Sequence, residues 1–262
     1  MGINSRIEWT THTFNPWWGC TKVSAGCKFC YAEALSKRYG YDVWGARKRR
    51  RLLSDNHWKG PIKWDAEAKR KNVRYRVFCA SMADVFEERA PEGQLERLWD
   101  LICQTPNLDW QLLTKRPERI ADHLPKDWGF GYENVWLGTS VEDKRVLDRI
   151  KHLIRVPAKV HFLSLEPLLG PLHDLPSQGI DWVIVGGESG PKARPVDPGW
   201  VRDIRDRCQE AGVAFFFKQW GGKRKKKTGR KLDGRTWNEY PDTQLQPAPL
   251  SHAKTVFLQA EA

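Results

Sequence analysis

Three cysteines, Cys20, Cys27 and Cys30, fall within eleven residues of one stretch, Gly19-Cys20-Thr21-Lys22-Val23-Ser24-Ala25-Gly26-Cys27-Lys28-Phe29-Cys30-Tyr31. The closing C-x-x-C spacing lets two sulfurs face one centre, and a short loop can fold Cys20 back onto the same point. No fourth Cys or His lies close by in sequence. Three thiolates on an iron–sulfur cluster leave one iron open to a cofactor, whereas zinc normally takes a fourth ligand. The thiols alone leave both metals open; His12 and Cys79 are the candidates for that fourth zinc ligand. Cys79, Cys103 and Cys208 otherwise read as small buried hydrophobes in apolar or helical patterns.

The elements around the thiols set where they sit. Ile7 to Phe14 reads as a strand, broken by Asn15-Pro16-Trp17-Trp18-Gly19 before the cysteine loop. Tyr31 to Tyr39 reads as a helix stopped by Gly40. The segment 41–72 is basic, Trp-dotted and without a clear period, and is expected to be an irregular excursion. Beyond Arg74, apolar runs recur at residues 76–80, 110–113, 135–138, 160–163, 182–185 and 213–217. That interval suits βα units, and the lack of strict alternation suits strands buried on both faces. Helical spacing falls between them at Leu95, Leu98, Trp99 and Ile102, and again at Val146, Leu147, Ile150, Leu153 and Ile154. Ser140 with Asp143 reads as an N-cap with an acidic first turn, and Pro198 opens a further helix stopped by Gly212. The expected fold is α/β, a partial parallel β/α barrel of about six or seven βα units over residues 1–222. Residues 223–262 read as a basic, Gly- and Pro-containing extension, loosely packed or a peripheral hook, with little apolar pattern before Val256-Phe257-Leu258.

In such a barrel the strand ends converge on one mouth. Ser81 and Asp84 follow the first regular strand, and Thr114, Lys115 and Arg116 the second. Thr139 and Ser140, then Ser164 and Glu166, follow the next two. Gly186, Gly187 and Glu188, then Lys218 and Gln219, follow the last two. The cysteine loop also follows a strand and belongs at the same mouth. Any one polar strand end is often only a turn; six in register point to a site. No Walker loop, H-E-x-x-H or Ser–His–Asp order competes with this reading.

The three-cysteine loop, its aromatic before the last Cys and the βα repeats resemble the radical S-adenosylmethionine superfamily. Ile7-Glu8-Trp9-Thr10, Asn15-Pro16-Trp17, Leu113-Thr114-Lys115-Arg116-Pro117, Leu163-Ser164-Leu165-Glu166-Pro167-Leu168 and Gly186-Gly187-Glu188-Ser189-Gly190 more closely resemble a phage-associated family of three-Cys-motif proteins. A fainter similarity is to the spore photoproduct lyases. The likeness runs from about residue 5 to 240. It implies a [4Fe–4S] cluster on Cys20, Cys27 and Cys30, with S-adenosylmethionine chelating the fourth iron and cleaved reductively to a 5′-deoxyadenosyl radical. An electron donor of flavodoxin or ferredoxin type is implied as partner. The first gap here holds six residues, against three in the commonest superfamily spacing. Phe29 or Tyr31 would stack on adenine, and Gly186-Gly187-Glu188 resembles the superfamily's methionine-binding element. Ser81, Asp84, Thr139, Ser140 and Glu166 have side chains suited to ribose and methionine contacts. Lys115, Glu166 and Lys218 are the candidates for catalysis.

Net charge is +12 over 262 residues, and two runs account for it: Arg47–Arg51 and Lys223–Lys227 with Arg230 and Lys231. Local basicity beside fourteen Trp residues suits nucleic acid, a nucleotide or a related anion; solvated basic loops are the bland alternative. With a mean hydropathy of −0.64, no long apolar run and no apolar leader in Met1–Arg6, a cytoplasmic, non-membrane protein is expected. Two other functions fit the same residues: a non-catalytic nucleic-acid-binding protein with structural zinc, and a cluster-bearing redox or assembly protein.

Overall fold

The computed structural model describes Ser5 and residues 7–243. In chain order the elements begin with β1 (His12–Thr13), β2 (Trp17–Trp18), α1 (Tyr31–Arg38), β3 (Arg51–Leu52) and α2 (Asp55–Lys71). They continue through β4 (Tyr75–Cys79), α3 (Gln94–Cys103), β5 (Leu108–Thr114), β6 (Val135–Ser140), α4 (Asp148–Ile154) and β7 (Val160–Leu165). The last are β8 (Trp182–Gly186), α5 (Pro198–Glu210), β9 (Ala214–Gln219), α6 (Lys225–Thr228), β10 (Lys231–Leu232) and β11 (Arg235–Thr236). Seven strands form one parallel sheet in the order β1-β4-β5-β6-β7-β8-β9. The sheet curls into a half-barrel flanked by helices.

Strand side chains alternate between two cores, which is why the apolar runs are nearly continuous. On the outer face Val77, Leu112, Leu137, Leu163, Val185 and Phe217 pack with residues of α2 to α5 in the larger core. On the concave face Phe78, Trp136, Phe162, Trp182 and Phe216 form a second, aromatic core with Trp9. Trp9 plugs the lower end, its ring 4.6 Å from Phe78 and 6.0 Å from Trp182. Tyr240 closes the same cluster from the other end of the chain, 5.2 Å from Trp182, its hydroxyl donating to the Glu8 carbonyl.

Several elements differ from expectation. The strand over Ile7 to Phe14 shrinks to β1. Within 41–72, residues 55–71 are not irregular but form α2, which buries Trp58, Pro61, Trp64 and Ala68 along one face. That stripe is thin, and the Gly60-Pro61 pair inside it disguises the period. Ser140 ends β6 instead of capping a helix; Asp143 is the cap, accepting from the Arg145 amide at 3.0 Å. Cys103, the last residue of α3, is exposed. Within the extension, Trp237 packs on Phe215 and Leu232 is buried, so residues 231–240 lie against β9. Val256–Leu258 and Met1–Asn4 with Arg6 lie outside the described residues. Among the described residues no helix is long and apolar enough to cross a membrane.

Candidate active site at the cysteine loop

The loop leaves β2 at Gly19, whose φ of +120° lies in the region glycine alone adopts freely, and whose amide donates to the Met82 carbonyl at 3.0 Å. A single 3-10 turn, Ala25–Cys27, presents Cys27, and Cys30 immediately precedes α1. Four side chains from elsewhere in the chain hold this loop. Arg116, 2% exposed, donates to the Thr21 carbonyl at 2.9 Å and to Asp84 at 3.0 Å, with Cys20 Sγ at 3.9 Å. Arg50 donates to Thr21 Oγ1 at 2.8 Å and to both oxygens of the buried Glu87. Glu142 accepts from Ser24 Oγ at 2.8 Å and from Arg149 at 3.0 Å, and lies 3.4 Å from Lys115 Nζ. Arg194 donates to the Ala25 carbonyl at 3.1 Å while paired with Glu188. Gly26 lies so close to Glu142 that a Cβ there would collide with the carboxylate.

All three thiols line one cavity of about 420 Å³ at the mouth of the half-barrel, within the ~300–1,000 Å³ common for small-molecule sites. Burial pushes the Cys20 thiol up to about 12, helped by the Asp84 and Glu87 carboxylates and opposed by Arg116. Burial also raises the Cys30 thiol. Both thiols therefore stay protonated near neutrality, and a metal taking them as ligands would have to displace those protons. Among the described residues no three His, Cys, Asp or Glu groups converge closely enough to hold a single metal ion. His12 stacks on Trp64 at 4.4 Å, and Cys79 is buried in the larger core. Neither lines the cavity, so neither of the two expected fourth zinc ligands stands beside the thiols. An open, soft donor set of three thiols facing a cavity with room beside them fits a cluster and a small cofactor.

Of the expected site residues, Phe29, Tyr31, Ser81, Asp84, Ser140 and Glu166 line this cavity, as do Lys115, Gly187, Glu188 and Lys218. Tyr31 is half exposed, yet its hydroxyl donates to the Ser81 carbonyl at 2.9 Å. Phe29 lies under the Arg194 guanidinium, 5.2 Å from its ring centre. Lys218 and Glu166 form an ion pair at 2.8 Å across β9 and the end of β7. Asp84 is a clamp, accepting from Thr114 Oγ1, the Lys115 amide and Arg116. Thr139 does not line the cavity: the alternation that turns Ser140 inward turns Thr139 away, and its hydroxyl donates to the Thr114 carbonyl. Gly186 stays in the strand, outside the lining, with Glu166 against it.

The sequence pattern marks Arg116 only as a strand end at the mouth and does not mark Glu142 or Arg194, although all three fix the loop. Arg116 and Glu142 follow strand ends closely, so position was a usable signal; Arg194 sits in a long connection with no pattern to mark it. Gln219 was placed only as a strand end, yet its amide donates to the Gly187 carbonyl at 3.0 Å and to Ser189 Oγ at 2.6 Å, closing the far wall. Arg50 was counted in a solvent-facing basic run, but its side chain is 2% exposed and committed to Glu87.

The half-barrel is similar to that of a spore photoproduct lyase cysteine-to-serine variant, with a TM-score of 0.51 at 14% identity over 79% of this chain and 63% of that one. A spore photoproduct lyase with bound S-adenosylmethionine and dinucleoside spore photoproduct gives a TM-score of 0.49 at 15% identity, covering 77% of this chain and 62% of that chain. The chain thus spans little more than three-fifths of those lyases, and at such identity the likeness is one of fold. Among curated protein sequences none matches. A family model described as a protein of unknown function (DUF5131) matches residues 4–241, and the chain belongs to that family.

Proposed function

We propose that this protein is a radical S-adenosylmethionine enzyme acting on a nucleic acid, a nucleotide or a related anion. The observation that carries the proposal is that Cys20, Cys27 and Cys30 line one cavity together with polar strand ends of a parallel half-barrel. In this reading the three thiolates hold a [4Fe–4S] cluster and leave one iron for the cofactor. When bound, cluster and cofactor supply one-electron reductive cleavage of S-adenosylmethionine and a radical able to abstract hydrogen from substrate.

The chain's own residues bind, orient and exclude. Arg116, Arg50, Glu142 and Arg194 set the loop so that its thiols stay turned to the cavity. Phe29 and Tyr31 offer ring faces for a planar base. At Gly187, which lines the cavity, a Cβ would collide with the Trp220 carbonyl, so this wall is two closely packed backbone segments that only glycine allows. Lys218 and Glu166 neutralise each other in the resting site; an incoming anion would engage Lys218 and an ammonium Glu166. Trp9, Phe78 and Leu113 form the floor and keep bulk water from that side. An external donor of flavodoxin or ferredoxin type would deliver the electron.

Anaerobic reconstitution with iron and sulfide is the test. The protein should become brown, absorb near roughly 400 nm, and release 5′-deoxyadenosine when given S-adenosylmethionine and a reductant. Protein that takes up zinc and no iron under those conditions would sink the proposal.

A further inference from the structure

Beside the cysteine loop lies a surface that radical chemistry does not use. Trp18 ends β2 directly before Gly19, and Tyr39 and Tyr41 follow α1. The three rings gather, with Trp18 6.1 Å from Tyr39 and 5.8 Å from Tyr41. Arg51, on the strand paired with β2, lays its guanidinium 4.1 Å from the Tyr41 ring centre and 5.0 Å from Trp18. Tyr39 is 61% exposed and Tyr41 36%, so neither ring is spent on the core. Around them Lys37, Arg38, Arg47, Lys48 and Arg49 are all exposed. Lys37 pairs with Glu33 and Lys48 with Asp42, which leaves the surplus positive charge at Arg38, Arg47, Arg49 and Arg51.

The exposed Tyr39 ring beside the Arg51-stacked Tyr41 and Trp18, with unneutralised guanidinium groups around them, matches one kind of ligand, a chain that repeats a phosphate and an uncovered planar base at every step. A duplex hides its base faces, and an acidic protein surface would satisfy the cations while leaving the rings wet. The other basic run is built differently. Its Arg230 turns inward, donating to the Phe217 carbonyl and lying 4.8 Å over the Phe216 ring. The aromatic patch borders the cavity: Trp18 packs against the cluster that holds the lining residue Trp44, and the Gly45 amide donates to the Cys20 carbonyl at 2.9 Å. We infer that the Trp18–Tyr39–Tyr41–Arg51 face, flanked by Arg38, Arg47 and Arg49, docks a single-stranded nucleic acid and leads it to the cysteine-loop cavity. This deepens, and rests on, the nucleic-acid part of the proposed substrate.

The test is fluorescence anisotropy of the full chain with a labelled single-stranded DNA of about 12 nucleotides, at about 50 and about 200 mM salt. The single strand should bind more tightly than a duplex of equal length. Arg47→Glu with Arg49→Glu should weaken binding about tenfold or more and flatten its salt dependence. Tyr39→Ala should weaken it about fivefold or more and leave the salt slope unchanged, because stacking releases no counterions. Lys223→Glu with Lys227→Glu should change it by less than about twofold, since those cations lie outside the contacted phosphates. Circular dichroism checks that each variant is folded; if the double Arg variant is not, Arg38→Glu replaces it. Absent binding, equal affinity for duplex, or loss confined to the Lys223/Lys227 variant would overturn the inference. Binding is read without cluster or S-adenosylmethionine, so its failure leaves the radical chemistry standing, and failure to load iron leaves the docking face standing.

Discussion

Glu142, two residues past the end of β6, accepts a hydrogen bond from Ser24 Oγ at 2.8 Å, tying the cysteine loop to a barrel strand 118 residues away. The carboxylate is 1% exposed and is shared with Arg149 and Lys115. Glu142→Ala removes one of the loop's four anchors and leaves Arg149 and Lys115 without their shared carboxylate. We expect about 2–4 kcal/mol of stability to be lost, as for one partner of a buried pair, and iron retention after reconstitution to fall. Urea denaturation and iron analysis on the same preparation check both; unchanged iron retention would show that the loop holds its shape alone.

Cys20→Ala separates an open site from a folding metal. The thiol is half-buried, so its loss should cost only about 1 kcal/mol, far less than loss of a structural zinc. The variant should melt close to the parent but bind no cluster by iron and sulfide analysis. A melting transition that collapses would point instead to a metal required for folding.

Arg50 and Glu87 form a pair with side chains 2% and 0% exposed. Burial raises the Glu87 carboxyl above its ordinary range, and the hydrogen bond and charge of Arg50 oppose that rise. Arg50→Met should therefore cost about 3–5 kcal/mol, and adding Glu87→Leu should recover part of that, because the stranded charge is gone. The recovery should be incomplete, since Arg50 also donates to the Val43, Gly45 and Lys48 carbonyls and to Thr21. A double-mutant cycle by chemical denaturation measures it.

His57 stacks on Phe14 at 4.8 Å and donates through Nε2 to the Asn15 carbonyl at 2.8 Å. Burial lowers its pKa, the hydrogen bond to Asn15 only partly opposing this. The unfolded chain then takes up the proton first, at the ordinary value near 6.5. Stability from this group is complete above that pH and is lost as pH falls from there through the lower folded-state value. The melting temperature of His57→Gln should accordingly fall less than the parent's between about pH 7 and pH 5. Parallel slopes for the two proteins would show that His57 is not the titrating group.

The half-barrel was legible because parallel strands buried on both faces leave apolar runs that survive without an alignment, as at Trp182–Val185 and Phe215–Phe217. The thiol loop was legible by spacing alone. What escaped was α2, whose buried stripe is only Trp58, Pro61, Trp64 and Ala68, and the role of the charged residues. Arg50, Arg116 and Glu142 look in sequence like any solvated ion. Only the fold reveals that each is buried against a partner between 7 and 118 residues distant. Thr139 shows the opposite error: neighbouring positions on a strand end were both assigned to the mouth, though the pleat can deliver only one.

The aromatic plug made by Trp9, Phe78, Trp136, Phe162, Trp182 and Phe216 closes one end of the half-barrel. Among the described residues the thiols line the cavity above that plug, whose floor includes Trp9 and Phe78. Whatever binds deepest must arrive first and leave last. On the proposed function this makes binding ordered, with the deeper-seated of cofactor and substrate entering first.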